Sequence, residues 1–254
     1  MKAKHHKKWI IAAAMLGAVW LAWCVAYPSG TWRYKMTVEV ETPEGIKTGT
    51  AIREVTFQLV PQLTPEMNPT TNLRGEAVVV DLGKRGVLFA LLHGHTIGAD
   101  HAKFLPFYIF PFKGSTRKEE GLRYYSNLKA GPKVIEPQFY PILVRFRDMN
   151  DPKTVENLLD MEECLGHHGA GEPLCVQKDR FEESFGEGVK VKAITIEMTD
   201  EPITTGIVKW LHWLPSYYNV MLDGSRVHTI KSSYPLANRF SSGSFSVGVL
   251  NRER

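Results

Sequence analysis

The chain has 254 residues, 43% of them hydrophobic and 23% charged, a composition that supports a buried core and excludes general disorder. Its formal net charge of +4 resides in the first thirty residues, where Lys2, Lys4, Lys7 and Lys8 stand without an acidic residue. Subtracting those four from the 31 basic residues leaves 27 against 27 acidic ones, so the remainder lacks the concentrated positive charge that displaces counterions from a nucleic-acid backbone. No nucleic-acid partner is expected.

Residues 1–8 read as a basic cytoplasmic leader, and Trp9–Tyr27 as an uncharged stretch of 19 residues. As a helix this stretch reaches roughly 28 Å, close to the hydrocarbon core of a bilayer. Trp9 at one end and Trp20, Trp23 and Tyr27 at the other suit the two interfaces, and Pro28 ends the span. The lysines predict a cytoplasmic N-terminus, a single pass through the inner membrane with lipid as the helix's partner, and a periplasmic domain over residues 31–254. A cleaved signal peptide is the alternative, with Cys24-Val25-Ala26 as the small-residue site. The length of the span favours an anchor, and Trp23 stands where a lipobox wants a small residue. Outside the span, Cys164 and Cys175 form an even pair that predicts a local disulfide in an oxidising compartment, ahead of two free thiols or a Cys-His zinc site. Closing a loop of about 12 residues would stabilise by roughly 3 kcal/mol.

From Thr31 the pattern has period two. Trp32, Tyr34, Met36, Val38 and Val40 share one face of a predicted strand, with Arg33, Lys35, Thr37, Glu39 and Glu41 on the other. A turn at Thr42–Gly45 leads to a second strand over residues 46–60, in which Gly49 marks a bulge or bend. Residues 76–82 and 86–92 form an apolar hairpin, expected to be central and covered on both faces. Residues 98–141 are rich in aromatics and proline and predict an irregular cap with a short helix near 116–129. A strand follows over 141–147. Asn150-Asp151-Pro152 then predicts the start of a short amphipathic helix carrying Val155, Leu158, Leu159 and Met161. Residues 188–199 read as a strand, and Ser232–Gly248 as a closing strand or a loose tail. The expected class is α+β and β-rich, antiparallel sheets with short helices behind one N-terminal transmembrane helix.

Three stretches carry a resemblance: Trp32-Arg33-Tyr34-Lys35-Met36-Thr37-Val38-Glu39-Val40-Glu41-Thr42-Pro43-Glu44-Gly45, Gly75-Glu76-Ala77-Val78-Val79-Val80-Asp81-Leu82-Gly83 and residues 194–207. Through them the chain resembles an uncharacterised family of proteobacterial membrane-anchored or lipoprotein-like proteins. The resemblance implies the topology and a single exported domain, and it carries no activity.

His93-Gly94-His95 is the sharpest chemical feature. Residues i and i+2 of a strand share a face, so both imidazoles can meet one metal, with Asp100 or His101 to complete it. The plain reading is that the strand ends at Leu92 and both rings lie in a loop. His167-His168, inside the cysteine loop, reads as solvated. There is no Gly-x-Ser-x-Gly elbow and no phosphate-binding glycine loop, and Gly243–Gly248 is only serine- and glycine-rich. No cofactor is therefore expected. Glu162-Glu163 and Glu182-Glu183 read as solvated faces. Asp81, inside an apolar arm, is a candidate for a buried ion pair with Arg145 or Arg147. Trp210 and Trp213 are candidates for an exposed partner patch, with burial as core the plainer reading. These readings predict a tethered, non-enzymatic interaction module of the cell envelope, contacting an envelope protein through residues 104–140 or 210–215. A metal-dependent hydrolase using His93 and His95 is the competing expectation.

Overall fold

The computed structural model describes residues 9–250 except 10–12, 19, 24, 25, 62, 63, 65–68, 164–173 and 230. Strands β1 (Ser29–Thr42), β2 (Gly45–Gln58), β3 (Thr70–Glu76), β4 (Val78–Asp81) and β5 (Val87–Gly94) come first. Helices α1 (His101–Ile109) and α2 (Glu119–Asn127) follow, then β6 (Lys133–Val134), β7 (Pro141–Phe146), β8 (Val155–Asn157), β9 (Leu159–Glu163) and β10 (Leu174–Asp179). Helix α3 (Phe181–Phe185), β11 (Lys190–Thr199), α4 (Ser242–Phe245) and β12 (Ser246–Val247) complete the order. Six strands join as β12-β3-β2-β1-β11-β6, four as β4-β5-β7-β8, and β9 pairs with β10. The fold is thus β-rich with antiparallel sheets and a few short helices.

The described chain divides into two compact units. The first draws on Met1–Thr31, Thr56–Thr71 and Phe112–Asn127. Within it, residues 13–18 and 20–23 are helical and exposed. Helix α2 turns Leu122 and Tyr125 inward and stacks Tyr124 on Phe112 at 4.8 Å. Gly30 passes so close that an added Cβ would lie 2.3 Å from Ser126 Oγ. Among the described residues, no helix is long and apolar enough to cross a membrane. The predicted span at 9–27 falls partly outside those residues, as do Cys164, His167 and His168.

The second unit comprises Trp32–Val55, Asn72–Pro111 and Leu128–Arg254. The period-two face of β1 is buried from Trp32 to Val40, while the opposite face carries ion pairs to neighbouring strands: Lys35 to Glu197, Lys192 to Glu39 and Arg33 to Glu54. Such surface pairs stabilise by at most about 1 kcal/mol each, so burial of the apolar face dominates. On β5 every residue from Leu88 to Leu92 is buried, because both faces of the strand are covered. On one side Phe89 packs with Phe146, Trp213 and Phe245 in a core that takes in Ile207, Leu211, Leu214 and Leu222. On the other, β2 passes so near β4 that a Cβ on Gly49 would lie 2.1 Å from the Val79 carbonyl oxygen.

Several expectations need correction. Residues 152–163 are not a helix but a single 3-10 turn followed by β8 and β9, because Val155–Asn157 pairs with Val144–Phe146 along the β7 edge. In residues 98–141 the short helix expected near 116–129 is present as α2, but the irregular remainder is organised by a further helix, α1. The 232–248 segment is neither one strand nor a tail. It folds as α4, closed by a Ser241–Ser244 capping box, and as β12 paired with β3. Asp81 is exposed, and it accepts a hydrogen bond from Gly83 N at 2.8 Å, so it shapes the turn after an edge strand. Arg145 and Arg147 pair instead with Glu156. Trp213 is 8% exposed and donates through Nε1 to the Met149 carbonyl at 2.8 Å. Leu211 and Leu214 are buried as well, and Trp210, at 37%, alone reaches solvent from that stretch's large apolar residues, so there is no contiguous patch.

Candidate functional site

Strand β5 runs on to Gly94, two residues further than the plain loop reading allows, and places His93 in the sheet. The backbone then turns sharply, Gly94 N bonding Gly98 O at 3.0 Å, and α1 begins at His101. The His101 ring lies against Gly94, where an added Cβ would sit 2.1 Å from Nδ1. The turn thus gathers three histidines. Burial holds all three below the usual histidine range, His101 furthest, at about 3. His93 Nδ1 lies 3.5 Å from Ser244 Oγ, a loose contact with a hydroxyl that is fully buried and also accepts from Ser241 N. A hydroxyl so enclosed has no path to a substrate.

The metal expectation finds little support in this geometry. Among the described residues, no three His, Cys, Asp or Glu side chains gather to hold an ion, whereas zinc sites draw on three or four ligands.

His95 leads elsewhere. Its Nε2 is buried with no hydrogen-bond partner, and its ring feels the charges of Arg239 and Asp160. Those two residues line a cavity of about 500 Å³ with Arg145, Asn157, Glu156, Arg180 and others. Each wall comes from a separate element: Arg145 from β7, Asn157 from β8, Asp160 from β9, Arg180 from the turn after β10, and Arg239 from a 3-10 turn over Ala237–Arg239. Arg145 donates through Nε to Glu156 at 2.8 Å and lies over the Phe185 ring. Arg180 pairs with Asp160, an interaction that lowers the Asp160 carboxyl below the usual range and raises the Arg180 guanidinium. Asn157 donates to Leu159 O at 2.8 Å and to Asp160 Oδ1 at 3.1 Å, leaving its own Oδ1 buried and unmatched. Arg239 is exposed and makes no ion pair or side-chain hydrogen bond among the described residues.

Two of the three guanidinium groups are therefore paired with fixed carboxylates, the third lining carboxylate, Glu183, acts on Arg180, and Arg239 alone has no ion-pair partner among the described residues. An arginine fork suits a planar carboxylate or a phosphate. The sequence reading missed this site. Its residues are scattered from 145 to 239, and none falls in a motif; of them the sequence points only to Arg145, as a partner for Asp81, and to Glu183, as part of a solvated face. The chain matches no protein-family model, no curated protein and no solved structure.

Proposed function

We propose that this is a membrane-tethered, non-enzymatic binding module of the cell envelope, which takes a small anionic ligand, or an anionic group of a partner protein, in the arginine-lined cavity. The observation that carries the reading is the unpaired Arg239 beside two arginines already tied to Glu156 and Asp160. The cavity volume falls in the range of small-molecule sites. Support for the tether comes from the uncharged run behind four lysines and from the exposed Trp9, Leu16, Trp20 and Leu21 side chains. The N-terminus is then cytoplasmic, the domain periplasmic, and Cys164 and Cys175 bridged there.

Titration calorimetry of the detergent-solubilised full chain against small carboxylates and phosphate esters tests the cavity. At least one of them binds, and Arg239→Ala weakens it by roughly 10- to 100-fold, the effect of losing one charge-assisted contact. Arg239→Lys recovers only part of the loss. If no anion binds, or if Arg239→Ala binds as well as the unmodified chain, the reading fails. Fractionation tests the tether: the full chain stays with membranes after a carbonate wash, and its recovery in the wash would remove that part of the proposal.

A further inference from the structure

We propose that a single small inorganic anion, chloride being the commonest of the right size, binds inside the second unit beside the Arg53 guanidinium. Arg53 lies on β2 and shares its face with Ala51, Val55 and Phe57, so period two sends a charged side chain into the apolar interior. It is 0% exposed. Its Nε donates to Glu76 O at 3.1 Å and Nη2 makes a long contact of 3.4 Å to Ala90 O, while Nη1 meets no acceptor. Gly75, at φ 151°, makes room for it, since a Cβ there would lie 2.9 Å from Arg53 Cγ.

Among the described residues, no carboxylate pairs with this charge. Glu54 turns to Arg33 at 2.8 Å and to Arg74 at 3.0 Å, and the Glu76 carboxylate accepts from Ile207 N at 2.9 Å. The nearest polar group, the Tyr34 hydroxyl, takes a side-chain hydrogen bond from Arg53 but carries no charge to answer it. Tyr34, whose ring centre is 6.0 Å from Arg53 Cζ, gives its proton to Ala102 O at 2.7 Å. His101, also fully buried, has both ring nitrogens unmatched and lies close enough for the Arg53 charge to oppose its protonation.

A guanidinium keeps its proton, so the charge cannot be discharged by titration. An uncompensated charge in the interior costs far more than a hydrogen bond left unmade. Water satisfies the donor but leaves the charge; an anion answers both. Arg53 Nη1 and the N–H of neutral His101 are donors, as an anion requires.

Thermal unfolding of the detergent-solubilised full chain in chloride, bromide or gluconate at equal ionic strength tests this. Chloride and bromide raise Tm saturably by roughly 5 °C over gluconate, the shift expected for a ligand well above its Kd. Arg239→Ala retains the halide effect, separating this site from the cavity, whereas Arg53→Met abolishes it. Identical curves in all three salts, or a halide effect that survives Arg53→Met, overturn the proposal. If Arg53→Met does not fold, a bromide-soaked crystal of the unmodified chain decides: an anomalous peak in contact with Arg53 Nη1 supports the site, and its absence refutes it.

Discussion

Gly49→Ala lowers the stability of the folded chain by about 3 kcal/mol or more, measured by denaturant unfolding of the full-length protein. The added Cβ meets the Val79 carbonyl oxygen at 2.1 Å and its carbon at 2.8 Å. Both are backbone atoms held in the β4–β5 ladder, so no rotamer change relieves the clash, and the strands must part. Overpacking that a side chain can absorb costs about 1–3 kcal/mol, and a backbone clash lies at or beyond the upper end. Gly131→Ala is the control, because nothing lies within 4 Å of its added Cβ. It leaves stability unchanged or raises it by up to about 1 kcal/mol, through the less flexible unfolded chain. Equal effects of the two substitutions would show that β2 and β4 are not packed backbone to backbone.

Acidification from pH 7.5 to 5 costs the fold about 2 kcal/mol through His101 alone, in gluconate buffer. Burial, aided by the Arg53 charge, holds this imidazole at about 3 in the folded protein. In the unfolded chain it takes up a proton near 6.5. The folded pKa is the lower of the two, so stability is complete above pH 6.5 and is lost as pH falls toward 3, at about 1.4 kcal/mol per unit. His93 and His95 are lowered by burial as well and act in the same direction. Denaturant titrations at the two pH values measure the loss, and His101→Leu shrinks it by the His101 share. Equal pH sensitivity in His101→Leu and the unmodified chain would mean that the ring is solvated. Chloride reduces the loss, because an anion beside Arg53 makes a proton on His101 less costly.

The two predictions rest on features the sequence presents unequally. Gly49 stands out as the glycine within a strand, and a bend was the natural expectation. Its actual role, admitting another strand's backbone, belongs to a contact thirty residues away. Arg53 and His101 are more telling. The alternation that places Trp32 to Val40 on one face of β1 applies equally to β2, and it assigns Arg53 to the apolar side. Residue type argues the other way, because a lone arginine in a strand normally marks the solvent face. His101 could not be found this way, since its burial follows from the turn at Gly94–Gly98 rather than from any period.

The misreadings have one physical source. Val155, Leu158 and Leu159 fit a helical spacing, and in isolation nothing argues against a helix; an open β7 edge in need of a partner converts the segment to strands. Asp81 looks buried because its neighbours are apolar, yet it ends an edge strand, and which strand lies at an edge is a property of the whole sheet. At Trp210–Pro215 the plainer reading, burial as core, holds, since the core around Phe245 closes over Trp213.

What the sequence determined by itself is whatever follows from local alternation and composition: the antiparallel strands, the β-rich class, and the confinement of excess positive charge to the first thirty residues. What only the tertiary structure decided is which polar residues share a volume. Arg145, Asn157, Asp160, Arg180 and Arg239 meet at one cavity, and Arg53 and His101 in one interior, because sheet packing joins residues whose separation along the chain carries no signal. Charge acts over ångströms of space, and sequence order records none of that distance.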